Sequence, residues 1–147
     1  MATKKDTTFD FSSLKDIYEV DEVKSREGVW MEWGMNAKDE PIRLLIGEVN
    51  NIKHQKARRR YEKALETSRK NRKRYEYIMA KVVAEGLLFD WEGILDSDSK
   101  PVEATMQAKI AALTKYEPLF YDVLKTADSP ELYRPDEPEA EADTEGN

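Results

Sequence analysis

With 147 residues, no Cys, one His and a net charge of -6, the chain admits one domain with tails. It excludes disulfides, thiolate zinc sites and cysteine nucleophiles, and the lone His54 leaves no base for a multi-histidine metal centre or an ordinary triad. Charged residues make up 37% of the chain against about 25% in an average soluble protein, so the core should be modest and much of the surface solvated helix.

The N-terminus, MATKKDTTFD, has no apolar stretch behind its lysines and does not read as a secretory signal. Residues 1–13 are read as a flexible arm. FDFSSLKDIYEV adds Phe9, Phe11, Leu14, Ile17, Tyr18 and Val20, enough to dock but too short to stand alone; Ser13 with Asp16 resembles a capping box. GVWMEWG (28–34) and PIRLLIGEV (41–49) alternate as strands, joined by the polar MNAKDE. A β-hairpin at 28–49 is therefore predicted. Alternation puts Trp30 on the face opposite Trp33.

From Asn50 the period becomes helical, with Asn50 or Asn51 as N-cap and a thin stripe of Ala57, Tyr61, Ala64 and Leu65. After a pause at 67–71, Tyr75, Ile78, Met79, Val82, Val83, Gly86 and Leu87 follow the spacing of a core-facing helix. This helix is read as running into LLFDWEG. DSDSKP (96–101) is a loop, MQAKIAALTKY a helix with Met106, Ile110 and Leu113 on one side, and EPLFYDVLKTA a helix opened by Pro118. Residues 128–147 carry eight acids, three prolines and few apolar groups, so a disordered acidic tail is predicted. The fold class that follows is mainly α with a small N-terminal β-hairpin (α+β), in a single helical domain over 14–127. No run is long enough to span a bilayer, and a soluble, cytoplasmic protein is expected.

Charge is segregated. Residues 52–74 hold eleven Lys or Arg and two Glu, and on a helix Lys53, Lys56, Arg59, Arg60 and Lys63 share one side. Glu62 and Glu66 are placed to pair with Arg58 and Lys70 at i, i+4. One reading is a nucleic-acid-binding regulator whose basic helix 53–74 neutralises phosphates, with Tyr61, Tyr75 and Tyr77 for stacking. No reader motif accompanies it, and the acidic remainder of the chain repels a polyanion. The preferred reading is a solvated face that meets an acidic partner or the chain's own tail, through Arg58, Arg59, Arg60 and Lys63.

No stretch looks catalytic. Phosphate-cradling loops and a nucleophile elbow are missing. DSDSK begins like a calcium loop, but Pro101 takes the sixth position and Gln107 the twelfth. His54, inside a basic helix, is expected to be exposed. No enzyme activity, metal or cofactor is expected. The apolar excess is more telling: LLFDWEG crowds Leu87, Leu88, Phe89 and Trp91 into five positions, which a helix cannot turn inward together.

Over residues 10–133 the order of features resembles the tail assembly chaperone of long-tailed bacteriophages. These features are an acidic N-terminal segment, a short strand region, the basic helix NNIKHQKARRRYEKAL, and an aliphatic helix closing on Asp90, Trp91, Glu92 and Gly93. The acidic DSDSK with its Pro and the closing LFYDVLKTADSPELY complete the pattern. The final RPDEPEAEADTEGN has no counterpart. The resemblance implies a non-enzymatic protein of the host cell cytoplasm, a homo-oligomer that keeps the hydrophobic tape measure protein soluble during tail assembly and does not remain in the virion. It further implies a frameshifted longer product that recruits tail tube protein. On this reading Leu87, Leu88, Phe89 and Trp91, with Leu119, Phe120, Val123 and Leu124, supply the apolar contacts, each with a competing role in the domain's own core.

Overall fold

The computed structural model describes residues 9–136; residues 1–8 of the expected arm and 137–147 of the expected tail lie outside the described residues. The fold is α+β, mainly helical around a small antiparallel sheet, as the sequence implied. In chain order come α1 (Ser12–Tyr18), α2 (Glu22–Glu27), β1 (Val29–Met35), β2 (Pro41–Ile46), α3 (Ile52–Thr67), α4 (Arg72–Gly86), β3 (Leu88–Glu92), α5 (Met106–Lys115), α6 (Glu117–Ala127) and a 3-10 turn, Pro130–Tyr133.

The expected hairpin forms because its turn closes on its own side chain. Asn36 Oδ1 accepts the backbone N–H of Lys38 at 2.8 Å and of Glu40 at 3.1 Å, while its amide donates to Gly93 O at 2.9 Å. β2 is the central strand, with β1 on one side and β3 on the other. Met31, Leu44 and Trp91 align across the three strands facing the core; Trp30, Leu45 and Asp90 align facing out. The expected placement of the two tryptophans on opposite faces is therefore correct. Trp30 lies under the Arg43 guanidinium, 5.5 Å from its ring centroid, and Arg43 in turn bonds Glu92.

The third strand corrects the helical reading of LLFDWEG. Helix α4 ends at Gly86, and Leu88–Glu92 pairs with β2. Pairing lets Leu88 and Trp91 point inward while Asp90 and Glu92 point out, with an irregularity in register between Leu45 and Ile46 accommodating Phe89. Leu87 and Leu88 are fully buried, and Trp91 is nearly so, its indole N–H donating to Val102 O at 2.7 Å. The sheet supplies Leu44, Ile46, Leu88 and Trp91 to a core completed by Ala80, Val83, Ala84 and Leu87 of the α4 end, Leu113 of α5, and Val123 and Ala127 of α6.

The expectation of disorder from Asp128 is also corrected at its start. The 3-10 turn carries Tyr133 to full burial, where its hydroxyl donates to Ile46 O at 3.0 Å. Burial, and then the charge of Glu48, push this phenol's pKa up, so it stays a donor throughout the ordinary pH range. Asp21 N–H donates to Tyr133 O at 2.7 Å, tying the start of α2 to the end of the described chain. At the other end α1 begins without a side-chain cap at Phe11, so the Ser13–Asp16 box does not form; Asp10 bonds Ser12 N–H instead.

Candidate partner-binding grooves

Helices α3 and α4 form an antiparallel hairpin. Asn51 caps α3, its Oδ1 accepting from Lys53 N–H at 2.7 Å and His54 N–H at 3.0 Å. Its amide donates to Glu48 O and Gly86 O, so one side chain joins the start of α3 to the end of α4. The helices approach closely there: a Cβ on Gly86 would stand 2.6 Å from His54 Cα, so only glycine fits. His54 is consequently buried, against the expected exposure, and its Nδ1 accepts Asn50 N–H at 2.9 Å. Burial, and then the Arg58 charge, hold the imidazole below its ordinary pKa, which keeps it neutral and able to accept.

The two flanks of this hairpin differ. On one, Arg60 bonds Glu85, Tyr61 donates to Glu85 at 3.2 Å, and Lys81 lies over the rings of Tyr61 and Tyr77 at 5.6 and 5.1 Å. These cross-links close it. On the other, a groove of about 720 Å³ stays open, floored by Leu65, Met79, Val82, Val83 and Leu124 and rimmed by Arg58, Arg59 and Arg69 with Glu62 and Glu66. Beyond the shared ridge of Tyr75, Met79 and Leu124 a second groove, of about 630 Å³, runs between α4, α5 and α6. Tyr77, Leu113, Phe120 and Tyr121 line it, with Arg72, Lys73, Glu76 and Glu117 at its edge. Phe120 and Tyr121 meet edge to face at 5.2 Å.

The residues expected to contact a partner are thereby sorted. Leu87, Leu88, Trp91 and Val123 belong to the core. Each such side chain contributes roughly 1.5–3 kcal/mol by being buried, which recruitment to a partner would forfeit. Phe89 is partly buried under Lys53, whose ammonium lies 4.5 Å from the ring centroid, away from both grooves. Leu119 packs partly buried against the core. Phe120 and Leu124 do line the grooves. Of the expected electrostatic contacts, Arg58 and Arg59 stand on the rim, Arg58 also donating to Asn50 Oδ1 at 2.9 Å. Arg60 is committed to Glu85 on the closed flank, and Lys63 is exposed outside both grooves. Among the described residues the anticipated pairings of Glu62 with Arg58 and of Glu66 with Lys70 are absent.

Sequence reasoning assigned Leu65, Tyr75, Met79 and Val82 to core-facing stripes and passed over Tyr121. The surplus of apolar positions on α4 over what α3 can cover was the available signal. A buried amine, that of Lys109, donates to Leu88 O at 2.9 Å beside the strand irregularity, with its pKa lowered by burial and partly restored by Asp90. Among the described residues no cluster of His, Cys, Asp or Glu could hold a metal ion, and no helix is long and apolar enough to cross a membrane.

No curated protein and no solved structure matches the chain. A family model described as YdaY prophage protein matches residues 49–147, two thirds of the sequence, from the last residues before α3 to the C-terminus. The matched stretch contains both grooves, β3 and the buried Tyr133. The phage kinship implied by the order of motifs thus stands at the level of a prophage family, and the chain belongs to the YdaY prophage protein family.

Proposed function

We propose that this chain is a phage tail assembly chaperone that binds the hydrophobic tape measure protein in the host cell cytoplasm, keeps it soluble and leaves before the virion is complete. The observation that carries the reading is the pair of adjoining apolar-floored grooves sharing Tyr75, Met79 and Leu124, rimmed by charges of both signs. Such a groove suits the apolar face of an amphipathic helix, and a long helical client offers that face repeatedly. Many modest contacts along one client add through avidity, so no single site needs high affinity. The contact set is Leu65, Tyr75, Met79, Val82, Phe120, Tyr121 and Leu124, with Arg58 and Arg59 for acidic positions on the client; a longer frameshifted product would add the contact to tail tube protein. No bond is made or broken in this mechanism.

Co-expression with the tape measure protein of the same prophage tests the reading. Soluble yield of the client should rise with the intact chain and fall back with Met79→Glu, while Trp30→Ala on the outer sheet face should leave it unchanged. A client that pellets equally with and without the chain ends the proposal. The competing nucleic-acid reading is weakened by Arg60 bonding Glu85 and by Tyr61 lying under Lys81. Tight, steeply salt-dependent binding of duplex or RNA would revive it.

A further inference from the structure

The most exposed apolar segment of the described chain is its N-terminal arm. Phe9 is 75% exposed, Phe11 61%, Leu14 51%, Ile17 48% and Tyr18 64%, and α1 contains no buried residue. On that helix Phe11, Leu14 and Tyr18 recur at i, i+3 and i+7 with Ile17 beside them, forming one unpartnered stripe. Asp10, Asp16, Glu19 and Asp21 surround it against a single Lys15. Among the described residues this acidic amphipathic segment has nothing to lie on. The α3–α4 groove is its complement: an apolar floor, a rim of Arg58, Arg59 and Arg69 against Glu62 and Glu66 that stays net positive, and a position within the most basic stretch of the chain.

We infer that the arm of one copy docks in the α3–α4 groove of a second copy. The dimensions agree. The groove follows α3 from His54 to Leu65, about 16 Å at 1.5 Å per residue, which is long enough to seat the roughly 10 Å of α1. The acidic tail is the other complementary segment, but beyond Tyr133 its only hydrophobic side chains are Ala140 and Ala142, so it cannot fill an apolar floor. The chain's own groove is not the seat either. Asp21 is held to Tyr133 O just three residues beyond α1, and with that short tether the arm buries none of its apolar side chains on its own body. Docked arms would compete with a client for the groove, but the self-contact does not depend on the chaperone reading and is tested without any client.

The experiment is sedimentation of the full chain over a concentration series, beside a Leu14→Glu/Ile17→Glu arm variant and an Arg58→Glu/Arg59→Glu groove variant. All four residues are exposed or on the open arm, and circular dichroism checks that the fold is kept. The full chain should self-associate, and each variant should weaken association about tenfold or more. Mixing the two variants should restore a heterodimer, because one retains a working arm and the other a working groove. Increasing salt should weaken it further. Association that ignores the arm variant, a mixture that stays monomeric, or a full chain that is monomeric throughout each overturns the inference. So does a labelled peptide of residues 8–20 that binds the arm variant while the full chain stays monomeric, since that outcome puts the arm in its own groove.

Discussion

The two ends of the described chain are alike in composition and opposite in fate. The arm from Phe9 to Tyr18 carries three aromatic and two aliphatic residues and buries none of them; the turn Pro130–Tyr133 carries Leu132 and Tyr133 and buries the latter completely. Apolar content does not separate them. Tyr133 has a polar destination, Ile46 O, lying where the β2–β3 ladder changes register, and its chain is steered there by Val49 N–H bonding Ala127 O at the end of α6. The arm, though tethered at Asp21, has no side-chain anchor of this kind among the described residues. Packing at a chain end follows from a satisfied polar anchor as much as from greasy surface.

The comparison breaks most visibly at its stronger end. Tyr133→Ala removes a fully buried ring and should lower unfolding free energy by about 3–5 kcal/mol, read from the denaturant midpoint at unchanged slope. Tyr133→Phe keeps the ring and leaves Ile46 O without its donor, so a loss of about 1–2 kcal/mol is expected in the same measurement. Asp21 stands between the two ends: its carboxylate caps the six-residue α2 through Val23 and Lys24 N–H. Asp21→Ala should cost about 0.5–1 kcal/mol and raise hydrogen exchange in α2 before it does so in the sheet. The smallest effect belongs to the arm. The triple change Phe11→Ala, Leu14→Ala and Ile17→Ala should alter the stability of the dilute chain by no more than about 0.5 kcal/mol. A large loss there would show that the arm is part of the folded body after all.

What the sequence made legible was local. The hairpin, the cap at Asn51, the core face of α4 and the Asp96 loop all follow from neighbours a few residues apart; in the loop, Asp96 Oδ1 accepts Asp98 and Lys100 N–H. What escaped was set by partners far along the chain. Leu88–Glu92 is a strand because β2, more than forty residues earlier, leaves an edge to pair with. A run of consecutive apolar residues at the end of a strong helical pattern does not itself distinguish strand from helix. His54 is buried because Gly86 lets α4 close over it, and Arg60 bonds Glu85 across the hairpin, twenty-five residues away. The site followed the same rule. Phe120, Leu124, Arg58 and Arg59 do line the grooves, whereas Leu87, Leu88 and Trp91 looked surplus only while the third strand was unseen.

The central strand also sets where the molecule can be cut. The family model matches from Val49, yet the unit that folds together begins earlier, since Leu44 and Ile46 fill the same interior as the matched helices and β2 supplies β3 with its hydrogen-bonding neighbour. A piece cut at the start of the matched stretch would bare both that edge and the wall behind it, inviting strand-to-strand stacking between molecules. The matched stretch and the cooperative unit start at different places along this polypeptide.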